Sequence, residues 1–365
     1  MKKLGVGIIG VGMAFERLHY PAYQALSDRY EIAALCDLDK QKCRNWQKQL
    51  NLQESDLYTD FREMLQRNDL DIADIMVPIE LNFEVTQAVA KAWANKHRAI
   101  ICEKPLAPTL DQALEARNLA RDYNLPIMIA ENYRHNQEIS IIKDLIHNKR
   151  IGEIYYFLQN RVMNFPDEML KNKFAAREWR QHPEFPGGAM TDTGVHDIAA
   201  LQDLFGSIEK VHAFGKPQES DFSPYAVVNA NLQFVSGLTG QFTFFIAGKE
   251  MQRPLTGLRI FGTEGMIYLE ERDCGVINVA FNDGQTERIP YEVQKGYYNE
   301  LLNLYNALTG TEQISVTPEI EFDDLRALMC IYKSIGEEKI VSLDDLTPSG
   351  EIGIQVGEEK HLHLH

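Results

Sequence analysis

The chain has 365 residues, 44% of them hydrophobic and 25% charged, which is ordinary globular composition and enough length for two domains. Its net charge of −16 argues against a general binder of nucleic acid or of anionic membranes, because a phosphate surface would be repelled. A small anionic ligand remains compatible, since one pocket can differ in sign from the whole. The five cysteines (Cys36, Cys43, Cys102, Cys274, Cys330) are odd in number and form no C-x-x-C pair. That pattern fits reduced thiols in a cytoplasmic protein better than a disulfide framework or a zinc site. Lys2 and Lys3 followed by Leu4 to Ile9 imitate a short signal peptide, but Gly5, Gly7, Gly10 and Gly12 interrupt the stretch. No run approaches the roughly 20 apolar residues of a membrane span.

Leu4 to Ile9 reads as a first strand, Gly10-Val11-Gly12-Met13-Ala14 as a tight turn, and the residues carrying Leu18, Tyr23 and Leu26 as an amphipathic helix. Gly10 permits the turn. Gly12 lets backbone approach a pyrophosphate, with the helix N-terminus offering N–H groups to the anion. Phe15 replaces the third glycine of G-x-G-x-x-G. Glu31 to Cys36 is a second strand, with Asp37 at its tip. A carboxylate there can accept hydrogen bonds from a ribose 2′-hydroxyl and would repel a 2′-phosphate, which favours NAD over NADP. Asp37 can also be read as a cap for a helix over residues 39–50.

Alternation continues with strands at 72–77, 99–102 and 126–130, and helices at 83–94 and 109–123, the latter capped by Thr109. Strands alternating with helices predict a parallel, doubly wound sheet. Pro78, Asn82 and Glu103-Lys104 fall at or just after carboxyl ends of strands, where ligands sit in such sheets. Lys104 would project there from backbone stiffened by Pro105. Beyond Glu131-Asn132-Tyr133-Arg134 the pattern changes. A helix over 138–146 leads to strand-like runs at 154–161, 211–215, 226–234, 239–247, 257–262 and 266–269, with Gly262-Thr263-Glu264-Gly265 as a hairpin turn. These predict a second, α+β domain with a large, mostly antiparallel open sheet, so that residues 1–131 and 132–365 form the two domains.

Within this half lie Trp179-Arg180 and then Pro186-Gly187-Gly188-Ala189-Met190-Thr191-Asp192-Thr193-Gly194-Val195-His196-Asp197. On a helix starting near Thr191, Asp192 and His196 share one face, one turn apart. A carboxylate beside an imidazole orients it and raises its basicity; a helix-start capping arrangement is the plainer alternative. Asp197 points elsewhere, as a structural residue. No third ligand is spaced with the pair, so a metal site is not expected. Helices over 297–308 and 319–334 carry Leu301, Leu304, Leu308 and Leu325, Leu328, Ile331 at core-packing spacing, and Tyr297 and Tyr298 are candidate pocket-lining side chains. The terminal His361, His363 and His365 alternate with other residues and carry no assigned function.

Gly10-x-Gly12, His19-x-Pro21, Asp37, Pro78 with Asn82, Glu103-Lys104-Pro105-Leu106, Gly187-Gly188-Ala189, Asp192-x-Gly194-x-His196-Asp197 and Gly262-Thr263-Glu264-Gly265 together resemble the glucose–fructose oxidoreductase/inositol dehydrogenase (Gfo/Idh/MocA) family along nearly the whole chain. The resemblance implies a Rossmann domain followed by an open-sheet domain that commonly mediates dimers or tetramers. It implies a nicotinamide cofactor lying across Gly10, Gly12, Asp37, Pro78, Asn82 and Glu103, with Val11, Met13, Ala14 and Lys104 as further cofactor-binding candidates. It also implies Lys104, Asp192 and His196 as the catalytic trio, which would meet the substrate; Tyr133, Arg134, Trp179 and Arg180 are further candidate substrate contacts.

The expected reaction is reversible oxidation of a secondary alcohol on a sugar, inositol or related carbohydrate. His196 would exchange the hydroxyl proton, since histidine titrates near neutrality. Asp192 would orient it, and Lys104 would stabilise negative charge on the reacting oxygen. Two rivals share the fold: a glycosidase that uses NAD with no net redox, and a non-catalytic dinucleotide-binding regulator. A regulator has no need of Lys104, Asp192 and His196 together.

Overall fold

A computed structural model describes residues 3–164, 178–246 and 257–346, with the side chains of residues 178 and 179 left aside. The chain divides into two compact units. One comprises Met1–Asn136 with Gln294–Asp323, the other Gln137–Val293 with Asp324–His365. The expected boundary near residue 131 assigned everything later to the second domain, whereas residues 294–323 return to the first unit. The reason is burial. Leu301, Leu304 and Tyr305 complete the core around Val6, Ile8, Tyr23 and Tyr30, and the Tyr30 hydroxyl donates to the Leu301 carbonyl at 2.6 Å.

The first unit is built on β1 (Leu4–Ile9), β2 (Tyr30–Cys36), β3 (Leu57–Tyr58), β4 (Ile72–Ile75), β5 (Ala99–Glu103) and β6 (Ile127–Ala130). These six strands pair in the order β3-β2-β1-β4-β5-β6, all in parallel. The order reverses at β1, so the carboxyl ends of β1 and β4 flank the crevice where doubly wound sheets bind ligands. Short helices connect the strands: α1 (Tyr20–Ala25), α2 (Lys40–Gln47), α3 (Phe61–Met64), α4 (Ile79–Ala92), α5 (Leu110–Ala116) and α6 (Leu119–Asp122). The strands are mostly apolar and buried, as in parallel sheets covered on both faces, with Asp74 in β4 a charged exception. Thr109 caps α5 as expected, its hydroxyl accepting from Gln112 N. The single helix expected over 109–123 divides into α5 and α6. Helix α4 starts four residues earlier than expected, directly after Pro78, which fixes its own φ and opens the first turn. Asn82 is therefore a buried helix residue rather than part of a loop.

The second unit opens with α7 (Gln137–His147) and β7 (Ile154–Val162), then α8 (Glu178–Gln181) and α9 (Ala189–Phe205). Strands β8 (Ile208–Pro217), β9 (Tyr225–Phe234), β10 (Thr239–Phe245), β11 (Leu258–Gly262), β12 (Gly265–Leu269), β13 (Val276–Phe281) and β14 (Thr286–Pro290) follow. Helix α10 (Gly296–Leu308) belongs to the first unit. Helix α11 (Pro318–Glu337) begins in the first unit and continues in the second, where β15 (Val341–Ser342) ends the described chain. Among the described residues, nine strands form one sheet in the order β14-β13-β12-β11-β7-β10-β9-β8-β15. Only β7 and β10 run parallel within it. Phe157, Phe234, Phe242 and Phe244 are buried beneath it, with Phe157 stacked on Phe205 of α9 at 4.8 Å between ring centres. Strands β13, β14 and β15 were not expected. β14 is an edge strand with every other residue exposed, so its sequence lacks a strong apolar signal.

Candidate active site

The turn after β1 is shaped by Gly10, whose φ of +98° favours glycine and whose added Cβ would lie 2.2 Å from the Met76 carbonyl oxygen. Gly12 differs. A Cβ there would meet nothing within 4 Å. Packing does not demand glycine at that position, so the open space beside its backbone is available to a ligand. Phe15, in place of the third glycine, is fully buried and meets Trp46 edge-on at 5.0 Å. It begins a π-helical turn, Phe15–His19, that leads into α1.

Asp37 stands at the carboxyl end of β2. One carboxylate oxygen accepts from Val11 N at 3.0 Å, tying the strand tip to the glycine turn. The other accepts from Asp39 N at 2.9 Å, and Lys42 Nζ approaches at 3.1 Å. Asp37 does not cap α2; Asp39 does, accepting from Gln41 N. Pro78 sits at the mouth of α4.

At the end of β5, Glu103-Lys104-Pro105 is held from several sides. The Asn82 amide nitrogen donates to the carbonyls of Glu103 at 3.0 Å and Pro105 at 2.8 Å. One Glu103 carboxylate oxygen accepts from Lys104 N at 3.2 Å, and the other lies 3.0 Å from His19 Nε2. His19 Nδ1 faces Asp74 at 2.9 Å, and the Tyr23 hydroxyl donates to the same Asp74 oxygen at 2.8 Å. Asn82, expected to meet cofactor, thus has its amide nitrogen committed to the loop that carries Lys104. Lys104 itself is 9% exposed.

This cluster was not singled out from the sequence, although Asp74 within the apolar run Ile72-Ala73-Asp74-Ile75 was a visible signal. Burial alone would lower the His19 pKa, but Asp74 and Glu103 outweigh it and hold the ring well above its ordinary value. Burial raises the Glu300 carboxyl well above the usual carboxylate range, helped by Glu103, Glu131 and Asp74 and opposed by His19. Neither Glu300 oxygen has a hydrogen-bond partner among the described residues. Tyr297, next to His19 at 5.8 Å between ring centres, and Tyr298, beneath Lys295 Nζ, pack against the core of this unit. Tyr133 is buried, with its backbone N donating to Glu131, and Arg134 follows it in a short 3-10 turn.

In the second unit, Gly187 and Gly188 both have positive φ. The Tyr332 hydroxyl fills the space a Gly187 Cβ would need, and also meets the Thr191 hydroxyl at 2.9 Å. Ala189 N donates to the Phe222 carbonyl at 2.7 Å. These contacts set the start of α9 and place Asp192 and His196 one turn apart on it, as expected. Both are buried, at 3% and 9% exposed. Arg180 Nε donates to Asp192 at 2.8 Å, an ion pair the sequence did not announce. Asp197 turns toward β7, accepting from Gln159 Nε2 at 3.0 Å with Arg161 Nε at 3.8 Å, which is the structural role expected of it. The Trp179 side chain and the histidines of the tail lie outside the described residues. Among the described residues no cluster of three His, Cys, Asp or Glu side chains is arranged for a metal ion.

Residues 4–131 match the model of the oxidoreductase family with an NAD-binding Rossmann fold, and residues 139–268 match the GFO/IDH/MocA C-terminal domain. The chain belongs to the Gfo/Idh/MocA family. This family member is therefore an oxidoreductase that carries an NAD-binding domain. It is 28% identical over 346 residues to an uncharacterised protein of Saccharomyces cerevisiae, covering 92% of this chain and 96% of that one. It is also 28% identical over 322 residues to levoglucosan dehydrogenase of Pseudarthrobacter phenanthrenivorans, covering 79% of each. A solved structure of levoglucosan dehydrogenase with NADH and L-sorbose has the same fold, with a TM-score of 0.82 at 20% identity over 94% of this chain and 99% of that one. The residues of the Gfo/Idh/MocA Rossmann unit fit a dinucleotide: uncovered backbone at Gly12 for a pyrophosphate, and a carboxylate at the tip of β2 for a ribose hydroxyl. No described helix is long and apolar enough to cross a membrane.

Proposed function

We propose that this chain catalyses reversible hydride transfer between NAD and a secondary alcohol of a sugar, inositol or related carbohydrate. The observation that carries the proposal is the placement of Lys104 immediately beyond β5, on the same sheet edge as Gly12 and Asp37, in a loop clamped by Asn82 and Glu103. An amine fixed there can donate a hydrogen bond to a substrate oxygen and stabilise the negative charge that develops on it. His196 takes the hydroxyl proton during oxidation and returns it during reduction. Asp192 bonds a neighbouring hydroxyl and holds its own place through Arg180. The bound nicotinamide supplies the hydride acceptor at its C4. Glu103 and Pro78 border the cofactor, and Tyr133, Arg134, Trp179 and Arg180 contact the substrate.

NAD is preferred to NADP because Asp37 would face a 2′-phosphate with like charge. The relative named levoglucosan dehydrogenase supports a carbohydrate substrate. The protein is read as a cytoplasmic homodimer or homotetramer, with the exposed Tyr155 and Phe214 of the nine-stranded sheet as apolar surface for assembly.

The deciding experiment follows NADH absorbance with purified protein, NAD or NADP, and a panel of inositols, hexoses, anhydro-sugars and amino-sugars. Turnover on one class with NAD is expected. Tight NAD binding with no turnover on any of them, or release of a sugar without net NADH, would overturn the dehydrogenase reading.

A further inference from the structure

Asp74 lies in the middle of β4 and is fully buried. A carboxylate in that position needs hydrogen-bond donors. It receives the Tyr23 hydroxyl and His19 Nδ1 on one oxygen. The opposite ring nitrogen, Nε2, faces Glu103 at 3.0 Å. Two carboxylates facing two ring nitrogens call for two N–H donors, and only the imidazolium has both. Tyr297 of α10 lies beside the ring at 5.8 Å between centres, and Glu300 of the same helix interacts with it electrostatically. Burial raises the Glu300 carboxyl well above the usual carboxylate range, whereas Asp74 and Glu103 each face a ring nitrogen directly, at 2.9 and 3.0 Å. Glu103 in turn passes the restraint to the next residue, through its second oxygen and Lys104 N.

We propose that His19 is a positioning residue for Lys104: wedged as a cation between Asp74 and Glu103, it fixes the Glu103 carboxylate and thereby the backbone from which the Lys104 amine projects. The inference rests on the reading of Lys104 as the group that meets the reacting oxygen. Asn82 fixes the carbonyls of this loop, and His19 fixes its one acidic side chain. The energetic reason for a buried cation here is specificity of placement: a charge-assisted pair on each side of the ring leaves it little room to turn.

The test compares His19→Asn with His19→Gln. The asparagine amide nitrogen reaches the Nδ1 position and keeps the Asp74 contact, while the glutamine nitrogen reaches the Nε2 position and keeps the Glu103 contact. His19→Asn should lower kcat about 10- to 100-fold, with KM and the NAD Kd within about twofold of the parent. His19→Gln should recover most of that loss. A purely structural histidine would make both variants lose activity alike, in proportion to the folded fraction, and that result would overturn the proposal.

A second readout needs no turnover. The rate at which an amine-reactive reagent labels Lys104, read on its peptide by mass spectrometry, should change about threefold or more in His19→Asn and little in His19→Gln. Labelling that is equal in parent and both variants overturns the role of His19. A parent protein that turns over no carbohydrate overturns the reading of Lys104 instead, and leaves this comparison standing. Should neither variant fold, Glu103→Gln, which keeps the side-chain shape and removes its charge, carries the same labelling comparison with the same two outcomes. In the parent, nitrogen-15 spectra should show both His19 ring nitrogens in the imidazolium state at neutral pH; the split signals of a neutral ring would refute the wedge.

Discussion

Replacing Glu300 by Gln isolates the energetics of the buried acid on α10. Glu300 is fully buried, neither oxygen has a hydrogen-bond partner among the described residues, and three further carboxylates act on it. Its folded-state pKa is therefore raised by burial first and by Glu103, Glu131 and Asp74 next. In the unfolded chain a glutamate titrates at about 4.3, so above that pH folding must take up a proton at this site. The sign follows: stability is undiminished below the unfolded pKa and falls as pH rises toward the folded pKa, by up to about 1.4 kcal/mol per pH unit. Glutamine has nearly the same shape and no proton to take up, so the variant should lack this slope. His19, also raised, contributes a decline in the same direction from about pH 6.5 upward, and because the two groups interact the slopes are compared below that pH, where the His19 contribution is undiminished in both proteins. The assay is the thermal midpoint of the nucleotide-binding unit, by scanning calorimetry in steps between about pH 5 and pH 6.5. For a domain of this size 1 kcal/mol moves the midpoint by about 2–4 °C, so between the unfolded and folded pKa values the variant should gain up to roughly 3–6 °C on the parent per pH unit. Parallel midpoint curves for parent and variant across that range would refute the reasoning and mean that Glu300 is ionised in the folded state.

Lys104→Ala should remove most turnover, about a hundredfold or more, while NAD binding followed by fluorescence survives; unchanged turnover would remove Lys104 from the chemistry. Gly12→Ala should leave the melting temperature unchanged, because its Cβ meets nothing within 4 Å, yet weaken NAD binding about tenfold. Gly10→Ala should instead destabilise the fold by about 2 kcal/mol or more through its positive φ and the Met76 carbonyl. Asp37→Asn keeps an acceptor for Val11 N and frees Lys42 to meet a phosphate; its ratio of NADP to NAD efficiency should rise about tenfold or more, measured with saturating substrate. Brief alkylation of the native protein at mildly alkaline pH should modify Cys274 alone among the cysteines, as mapped by peptide mass. Burial pushes the Cys36 and Cys330 thiols up to about 12 and Cys43 up to about 11, and raises buried Cys102 as well.

The sequence by itself determined the parts of this protein that depend on local patterning. Apolar runs of four to six residues ending in Gly10, Asp37, Pro78 and Lys104 specify strands with chemistry at their carboxyl ends, because period and turn residues are read within a few positions of one another. The spacing of Asp192 and His196 likewise needs only the pitch of a helix. Weak local signals hid other elements: the exposed, alternating residues of β14 and the two-residue strands β3 and β15 are strands only because a neighbour pairs with them.

Tertiary structure alone decided which distant side chains meet. His19, Asp74, Glu103 and Glu300 are scattered along the chain, and no periodicity links them. Burial in one core, completed by residues 294–323, makes them one charge network. The same holds for Arg180 with Asp192, and for Tyr332 filling the space above Gly187. Local sequence selects an element and the face it presents. The partner of a buried charge is set by the low dielectric of a core in which any ionised group must find its counterpart, and that core exists only after folding.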